Sequence, residues 1–156
     1  VVRIVNCKFE SMMDDAGNFH GIYVPVYRKI GDYQVVLKFG HHQQRGVNIF
    51  KPGDKVRLVD NRTLQSYAYF EVKSSKLIAH GYLLLETMEK LPLNILEGHA
   101  FENYTRMPEV HIEGCSTGYN RPRGFLLSTC KKAVVEKCEF YKKERNYGDN
   151  CRYNTI

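Results

Sequence analysis

The chain has 156 residues, of which 43% are hydrophobic and 26% are charged, a balance that is typical of a folded domain and argues against a disordered chain. Its formal net charge is +6, but Lys and Arg are interleaved with Asp and Glu throughout, which argues against a basic surface for nucleic acid. No apolar run approaches the roughly 20 residues of a membrane-spanning helix. The chain does not begin with Met, and we expect it to be an internal segment of a longer protein.

Three segments share a pattern of alternating residues before a cysteine. They are VRIVNCKF from Val2, VHIEGCST from Val110 and AVVEKCEF from Ala133. Small or β-branched residues stand three and five positions before each cysteine, and this period of two is typical of a strand with one buried face. The second and third segments lie 23 positions apart. This spacing fits one coil of a parallel β-helix, in which equivalent side chains stack on one another.

The first segment is followed by a cluster of polar residues that could carry chemistry. Within seven residues the chain places Asp14, Asp15, Asn18 and His20. Adjacent side chains of a strand point to opposite faces, so both acids can face one site only if the backbone turns there. Glycosidases use one carboxylic acid to protonate the leaving oxygen and a second carboxylate as base or nucleophile. The alternative interpretation is a solvated turn, because Asp, Gly and Asn are common turn residues.

The first and second cysteine segments are separated by 108 positions, far more than one coil, which indicates an inserted module. Within it, turn residues at Gly31-Asp32 and Pro52-Gly53-Asp54 separate short alternating runs. The predicted strands cover 22–30, 34–39, 55–59, 65–72 and 82–87. About five strands in about 70 residues fit a small antiparallel barrel, which has no open edges.

The cysteines do not predict a disulfide framework or a metal site. Their number is odd, and no Cys-x-x-Cys pair or Cys/His cluster with zinc-ligand spacing is present. We therefore interpret them as small hydrophobic residues of a core. They are Cys7, Cys115, Cys130, Cys138 and Cys151.

Three motifs resemble glycoside hydrolase family 110, the bacterial α-1,3-galactosidases. MMDDAGNFHG, from Met12, is similar to the family signature M-x-D-D-A-x-N-x-H-G. FGHHQQRGVNIFKPGDKVRLVDNRTL, from Phe39, is similar to its barrel segment. ENYTRMPEVHIEGCSTGYNRPRGFLLST, from Glu102, is similar to the return from the barrel into the β-helix. The motifs occur in the family order and together span residues 1–140.

The resemblance implies an all-β fold in which right-handed parallel β-helix coils are interrupted by a small antiparallel β-barrel. We predict a β-helix coil with the Asp-Asp motif at 1–23, the barrel at 24–92, and a β-helix continuation at 93–156. The implied activity is exo-acting, inverting hydrolysis of terminal α-1,3-linked galactose on blood-group-B-type or linear glycans. No metal, cofactor, nucleic-acid partner or membrane span is implied. The parent protein is expected to be secreted, periplasmic or bound at the cell surface.

The resemblance also implies roles for individual residues. Asp14 matches a proton donor, and Asp15 matches an acid that helps to activate water. Substrate-binding roles are implied for Asn18 and His20 of the first motif and for Arg121 and Arg123 of the third. Asn18 and His20 would bind sugar hydroxyls or orient the acids. The arginines would donate hydrogen bonds to galactose; alternatively, they pair with acids on the outer face.

The match is incomplete at both ends. The family contributes a further catalytic carboxylate from the preceding coil, which we do not expect in this chain. After Phe140 the sequence retains only Gly148-Asp149 of the next family motif, and we assign residues 141–156 no role. We expect the isolated chain to be inactive and poorly soluble.

Two other functions are compatible with parts of the sequence. The first alternative is a non-catalytic carbohydrate-binding or adhesion β-helix, in which the aspartates are turn residues. A nucleic-acid-binding barrel is disfavoured, because basic and aromatic residues do not cluster. The sequence leaves open the preference for branched or linear glycans and the oligomeric state.

Overall fold

The computed structural model describes residues 1–141, and the chain divides into two compact units. One unit contains Val1–His20 and the described chain from Met107 to Tyr141, and the other contains Gly21–Arg106. Among the described residues, all regular secondary structure is β-strand, apart from one 3-10 turn at His42–Gln44. The all-β prediction with a barrel is therefore confirmed. Within the described residues, no helix has both the length and the apolar character needed to cross a bilayer.

The described chain forms fourteen strands, numbered here in sequence order. They are β1 (Val2–Val5), β2 (Lys8–Glu10), β3 (Gly17–His20), β4 (Tyr23–Lys29), β5 (Gln34–Lys38), β6 (Lys55–Val59), β7 (Ser66–Ala79), β8 (Tyr82–Thr87), β9 (Ala100–Asn103), β10 (Val110–Glu113), β11 (Ser116–Gly118), β12 (Phe125–Ser128), β13 (Ala133–Glu136) and β14 (Glu139–Tyr141).

The described residues of the first unit form three parallel sheets. Their strand orders are β1-β10-β13, β14-β11-β2 and β12-β3. In the first sheet Val2 pairs with Val110, and Val110 pairs with Ala133. This register is the alignment predicted from the cysteine segments, so that prediction is confirmed. A slip of one residue would exchange the two faces of a strand. The expected buried face is present in β10, where Val110 and Ile112 are buried, but the expectation is wrong for β13, an edge strand of this sheet, in which Ala133 and Val135 are exposed.

Backbone corners recur at equivalent positions of the three segments. The residue immediately before each aligned cysteine has a positive φ, 53° at Asn6, 62° at Gly114 and 54° at Lys137. Asn and Gly enter this left-handed region readily, whereas a long side chain such as that of Lys137 does so at a conformational cost. A second corner, with φ of 56° at both Ser11 and Tyr119, follows β2 and β11. These corners direct the chain from one sheet to the next.

The aligned cysteines belong to a small core between the parallel sheets. Ile112 and Cys115 are buried, and Cys7 and Cys138 pack partly buried against them. The four cysteines within residues 1–141 are free thiols, and Cys151 lies outside the described residues. The expected burial is wrong for Cys130, which is exposed because it lies in the connection between β12 and β13 and not in a strand.

The second unit is a closed antiparallel barrel with the strand order β4-β5-β8-β7-β6-β9. Its interior is filled by alternating apolar side chains such as Val24, Leu37, Val56 and Leu85, which are fully buried. The five predicted strands are present. The strand β7 is longer than predicted, because Lys73–Ala79 continues along β8 through two bulges without an alternating burial pattern.

The sixth barrel strand, β9, lies beyond residue 92, where the sequence predicts β-helix continuation. It joins β4 to β6 and so closes the barrel, and the barrel unit extends to Arg106. All four residues of β9 are buried, including the polar Glu102 and Asn103. The strand therefore lacks the alternation that predicts a barrel strand.

A buried ion pair joins β6 and β9. Arg57 and Glu102 are register partners, their side chains are 9% and 0% exposed, and a guanidinium nitrogen lies 2.5 Å from the carboxylate. The Arg57 guanidinium also donates to the Tyr23 hydroxyl of β4 at 3.2 Å. The three polar residues thus bridge the strands where the barrel closes.

Candidate active site

The loop that carries the two adjacent acids lies along a second loop of the same unit. The first loop connects β2 to β3 and the second connects β11 to β12. The Ser11 N–H donates to the Gly118 carbonyl at 3.2 Å, and the Ala16 N–H donates to the Gly124 carbonyl at 2.7 Å. Between these bonds, the Arg121 N–H donates to the Met12 carbonyl at 2.9 Å. The backbone on both sides of the acids is therefore fixed.

Asp15 forms a two-point ion pair with Arg123 across the loops. The Arg123 Nε donates to Asp15 Oδ1 at 2.8 Å, and a terminal nitrogen donates to Oδ2 at 3.1 Å. The side chain of Asp15 is 5% exposed and that of Arg123 is 54% exposed. The Asp15 carboxylate raises the pKa of Arg123, chiefly through the hydrogen bond. Such paired geometry fixes orientation as well as distance.

Asp14 has a different environment from its neighbour. It is exposed, and its Oδ1 accepts a hydrogen bond from the Asp15 N–H at 2.8 Å. The backbone turns between β2 and β3, which gives the two adjacent carboxyls separate surroundings. The Asp15 side chain is ion-paired and largely shielded from solvent, whereas Asp14 is exposed and accessible to a ligand.

Asn18 and His20 lie on one face of β3. Both are exposed, whereas Phe19 between them is partly buried and packs in the core of this unit. Their register partners on β12 are Leu126 and Ser128. The two polar side chains therefore form a row on the exposed face of the strand that follows the acidic loop.

The two arginines of the third motif differ in their contacts. The side chain of Arg121 is exposed, and its backbone N–H is bound to Met12. Arg123 pairs with an acid, as the alternative interpretation supposed, but that acid is the predicted catalytic residue Asp15 and not a residue of a remote surface. A guanidinium has five N–H bonds and two are used here, so three can still donate to another group.

Asn120 is a component of this site that the sequence analysis did not single out. Its side chain accepts a hydrogen bond from Met12 and donates to Thr117 and to the Arg123 carbonyl. The signal was present in the sequence, because Met12 and Asn120 are separated by the same 108 positions as Cys7 and Cys115. Aligning the segments beyond the strands would have placed Asn120 beside the acidic loop.

Among residues 1–141, one group has the proximity of metal ligands, and it does not include the acidic loop. Ligand atoms of His111, Glu113 and Glu136 lie within 4.8 Å of one another. These atoms already have partners, because His111 Nε2 is 2.9 Å from Glu136 and Lys137 is 2.7 Å from Glu113. We assign the group to surface ion pairing between β10 and β13.

Comparisons with known proteins match both units. Residues 34–100 match the family model GLAA-B beta-barrel domain II. The chain is 32% identical over 141 residues to alpha-1,3-galactosidase A of Akkermansia muciniphila, with 90% of this chain and 24% of the relative covered. It is 25% identical over 140 residues to alpha-1,3-galactosidase B of Bacteroides thetaiotaomicron, with 90% and 23% covered. For alpha-1,3-galactosidase B of Phocaeicola vulgatus, the identity is 33% over 150 residues, with 86% and 24% covered. The chain thus spans about a quarter of the length of these relatives.

Proposed function

Because this chain belongs to glycoside hydrolase family 110, we propose that the full-length protein carrying it is an exo-acting, inverting hydrolase of terminal α-1,3-linked galactose. The main support for this proposal is the Asp14-Asp15 pair, in which Asp14 is exposed and Asp15 is ion-paired with Arg123. A solvated turn does not require an ion pair of this kind. The proposed substrates are blood-group-B-type or linear glycans, and we propose that the protein is exported, since such glycans lie outside cells.

We propose that Asp14 is the proton donor. Glycosidic bond cleavage requires a carboxylic acid that can reach the leaving oxygen, and Asp14 is the acid of the pair that is exposed to an incoming ligand. Its Oδ1 is held by the adjacent N–H, which orients the carboxyl group. Its second oxygen can then carry the proton that passes to the leaving group.

We propose that Asp15 assists water activation while bound to Arg123. A carboxylate has about four lone-pair positions, and the two N–H bonds of Arg123 occupy two of them. Inversion places the acid and base carboxyls about 6.5–9.5 Å apart with water between them. We therefore propose that Asp15 works together with a further carboxylate from the coil that precedes β1 in the folded protein.

The polar row on β3 and the two arginines are the proposed sugar contacts. Asn18 and His20 face the same side of the strand that follows the acids. Arg123 keeps three N–H donors, and Arg121 is exposed beside the same loop. Amide, imidazole and guanidinium groups match the donors and acceptors of a galactose ring.

We also propose that the parallel sheets are coils of a right-handed β-helix. Successive strands β1, β2 and β3 visit three sheets, and β10, β11 and β12 visit the same sheets in the same order. Each strand pairs in parallel with its counterpart in the next segment. Crossovers between parallel strands are right-handed in nearly all proteins, which supports the proposed hand.

The test is galactose release by the full-length protein from an α-1,3-galactosyl disaccharide and a branched blood-group-B trisaccharide. NMR of the first product formed should show β-galactose. The variant Asp14→Asn should lower kcat by about 100-fold or more, the usual contribution of a general acid. Asp32→Asn is the matched control, since Asp32 is an exposed barrel acid paired with Lys90, and it should retain activity.

Two outcomes would contradict the proposal at different points. Absence of galactose release from both substrates by the unmodified protein would refute the hydrolase assignment. Release that persists in the Asp14→Asn variant would refute the role of Asp14 and leave the activity intact.

A further inference from the structure

The side-chain amide of Asn120 makes three hydrogen bonds at the base of the two loops. Its Oδ1 accepts from the Met12 N–H at 3.1 Å. Its Nδ2 donates to Thr117 Oγ1 at 2.8 Å and to the Arg123 carbonyl at 3.2 Å. The orientation of the amide follows from chemistry, because a backbone N–H can only donate and a backbone carbonyl can only accept.

These bonds fix both loops that carry the Asp15–Arg123 pair. Both backbone groups of Met12 are hydrogen-bonded: its N–H donates to the Asn120 side chain, and its carbonyl accepts from the Arg121 N–H. The second amide hydrogen of Asn120 holds the carbonyl of Arg123, whose side chain reaches Asp15. One amide therefore sets the start of the acidic loop and the backbone of its cationic partner.

We infer that Asn120 is a positioning residue for the proposed hydrolysis, holding the acidic loop at the distance and angle from Arg123 at which Asp14 and Asp15 act. This inference rests on the proposed function. Thr117, which anchors the amide, is itself 3% exposed and lies within strand β11. Supporting hydrogen bonds to a buried strand residue of this kind fix the geometry of groups that react.

The hydrogen-bonding pattern at position 120 requires an amide side chain. The site needs one acceptor and two donors at the same time. A carboxylate of the same shape keeps the acceptor and loses both donors, and it faces the Arg123 carbonyl with negative charge. A protonated carboxyl recovers one donor. The pH of the assay can thus restore part of the function in a variant.

The experiment compares N120D with the unmodified protein at full length. We expect kcat for α-1,3-galactoside hydrolysis to fall by about 10- to 100-fold at neutral pH, the size of effect that misplacement of catalytic groups by about 1 Å produces. The KM should change less, because the proposed sugar contacts Asn18 and His20 lie on β3, outside the two loops that this amide holds. The activity of N120D relative to the unmodified protein should rise as the pH falls, while circular dichroism shows both folded throughout.

N48D is the matched control, because it introduces the same chemical change at an exposed residue of the barrel unit. It should follow the pH profile of the unmodified protein. Unchanged kcat in N120D, or a reduction that does not vary with pH, would overturn the positioning role.

A second measurement separates this inference from the proposed function. If the unmodified protein releases no galactose, the proposed function fails, and hydrogen exchange of residues 11–16 then tests Asn120 directly. N120A should exchange these amides at least about 10-fold faster, because the acidic loop loses its attachment. Equal exchange in N120A and the unmodified protein would overturn the inference.

Discussion

Arg57 and Glu102 face each other across β6 and β9 with almost no access to solvent. Moving a charge out of water is costly, and a buried charge is tolerated only when a partner and further hydrogen bonds compensate for it. Arg57 has both, since it also donates to Tyr23. The pair thus belongs to the structure of the barrel.

The variant Glu102→Gln should lower the free energy of unfolding of the barrel by about 3–5 kcal/mol, because it removes the negative charge that faces the buried Arg57 guanidinium. Urea denaturation followed by far-ultraviolet circular dichroism measures the change. Glu86→Gln makes the same substitution in the exposed pair with Lys73 and should have a much smaller effect. Equal losses in the two variants would contradict the assigned role of burial.

At the scale of elements, β10 lies at the centre of the first parallel sheet, between β1 and β13. Ile112 of β10 is fully buried, and its register partners are Ile4 and Val135. We expect Ile112→Ala to lower the free energy of unfolding by about 2–5 kcal/mol, through lost burial and the cavity that remains. Val135→Ala, at a side chain that is 40% exposed, should cost clearly less. Chemical denaturation measures the loss in both variants. A larger loss for Ile112→Ala indicates a core stacked on β10, and equal losses would contradict it.

Sequence reasoning was sufficient where alternation and turn residues agree. The cysteine segments predicted the register of three parallel strands, and the turn residues separated most of the barrel strands. It was insufficient for β9, because Glu102 and Asn103 are polar residues buried by specific partners. Such burial depends on the pairing of distant strands, which a local pattern does not contain.

In the candidate site, too, the features carried by neighbouring residues were predicted and the contact between distant residues was not. The acidic cluster was identified from its residues and its resemblance to a family motif. The Asp15–Arg123 pair was not, although its separation of 108 positions equals that of the aligned cysteines. An ion pair between loops requires both backbones to turn, and the corners at Ser11 and Tyr119 do not have a residue type that predicts a left-handed conformation.

Over the whole molecule, exposed ion pairs and hydrogen bonds determine how stability varies with pH. Several carboxyls have a pKa below the ordinary value because of a favourable partner: Glu10 through Tyr141, Asp32 through Lys90, Asp60 through the Arg62 N–H, Glu86 through Lys73 and Glu113 through Lys137. The pKa is raised for Lys8 by Glu10, for Lys90 by Asp32 and for Lys137 by Glu113. Folding is thereby linked to protonation at both ends of the pH range.

Whether stability rises or falls with pH depends on whether the folded or the unfolded state binds protons more tightly. A lowered carboxyl pKa stabilises the fold above the ordinary values of 3.8 and 4.5, and this contribution is lost as the pH falls through the folded-state pKa. A raised lysine pKa stabilises the fold below 10.5 and loses its effect as the pH rises through the folded-state pKa. The urea midpoint should therefore be highest between about pH 5 and pH 10 and fall on both sides. High salt should flatten the profile, because these groups are exposed; a midpoint that is constant from pH 6 to pH 3 would contradict this.

The constant separation of 108 positions has an evolutionary consequence. Three pairs of residues in contact share this separation: Val2 with Val110, Met12 with Asn120, and Asp15 with Arg123. These contacts are set by the pairing of parallel strands and do not depend on the number of residues between the partners. The barrel supplies most of those residues and forms its own closed core. A lineage can therefore lengthen or shorten barrel turns, such as the one at Gly81 between β7 and β8, and keep Arg123 as the partner of Asp15. The barrel is therefore a place where chain length can vary without changing the residue that pairs with Asp15.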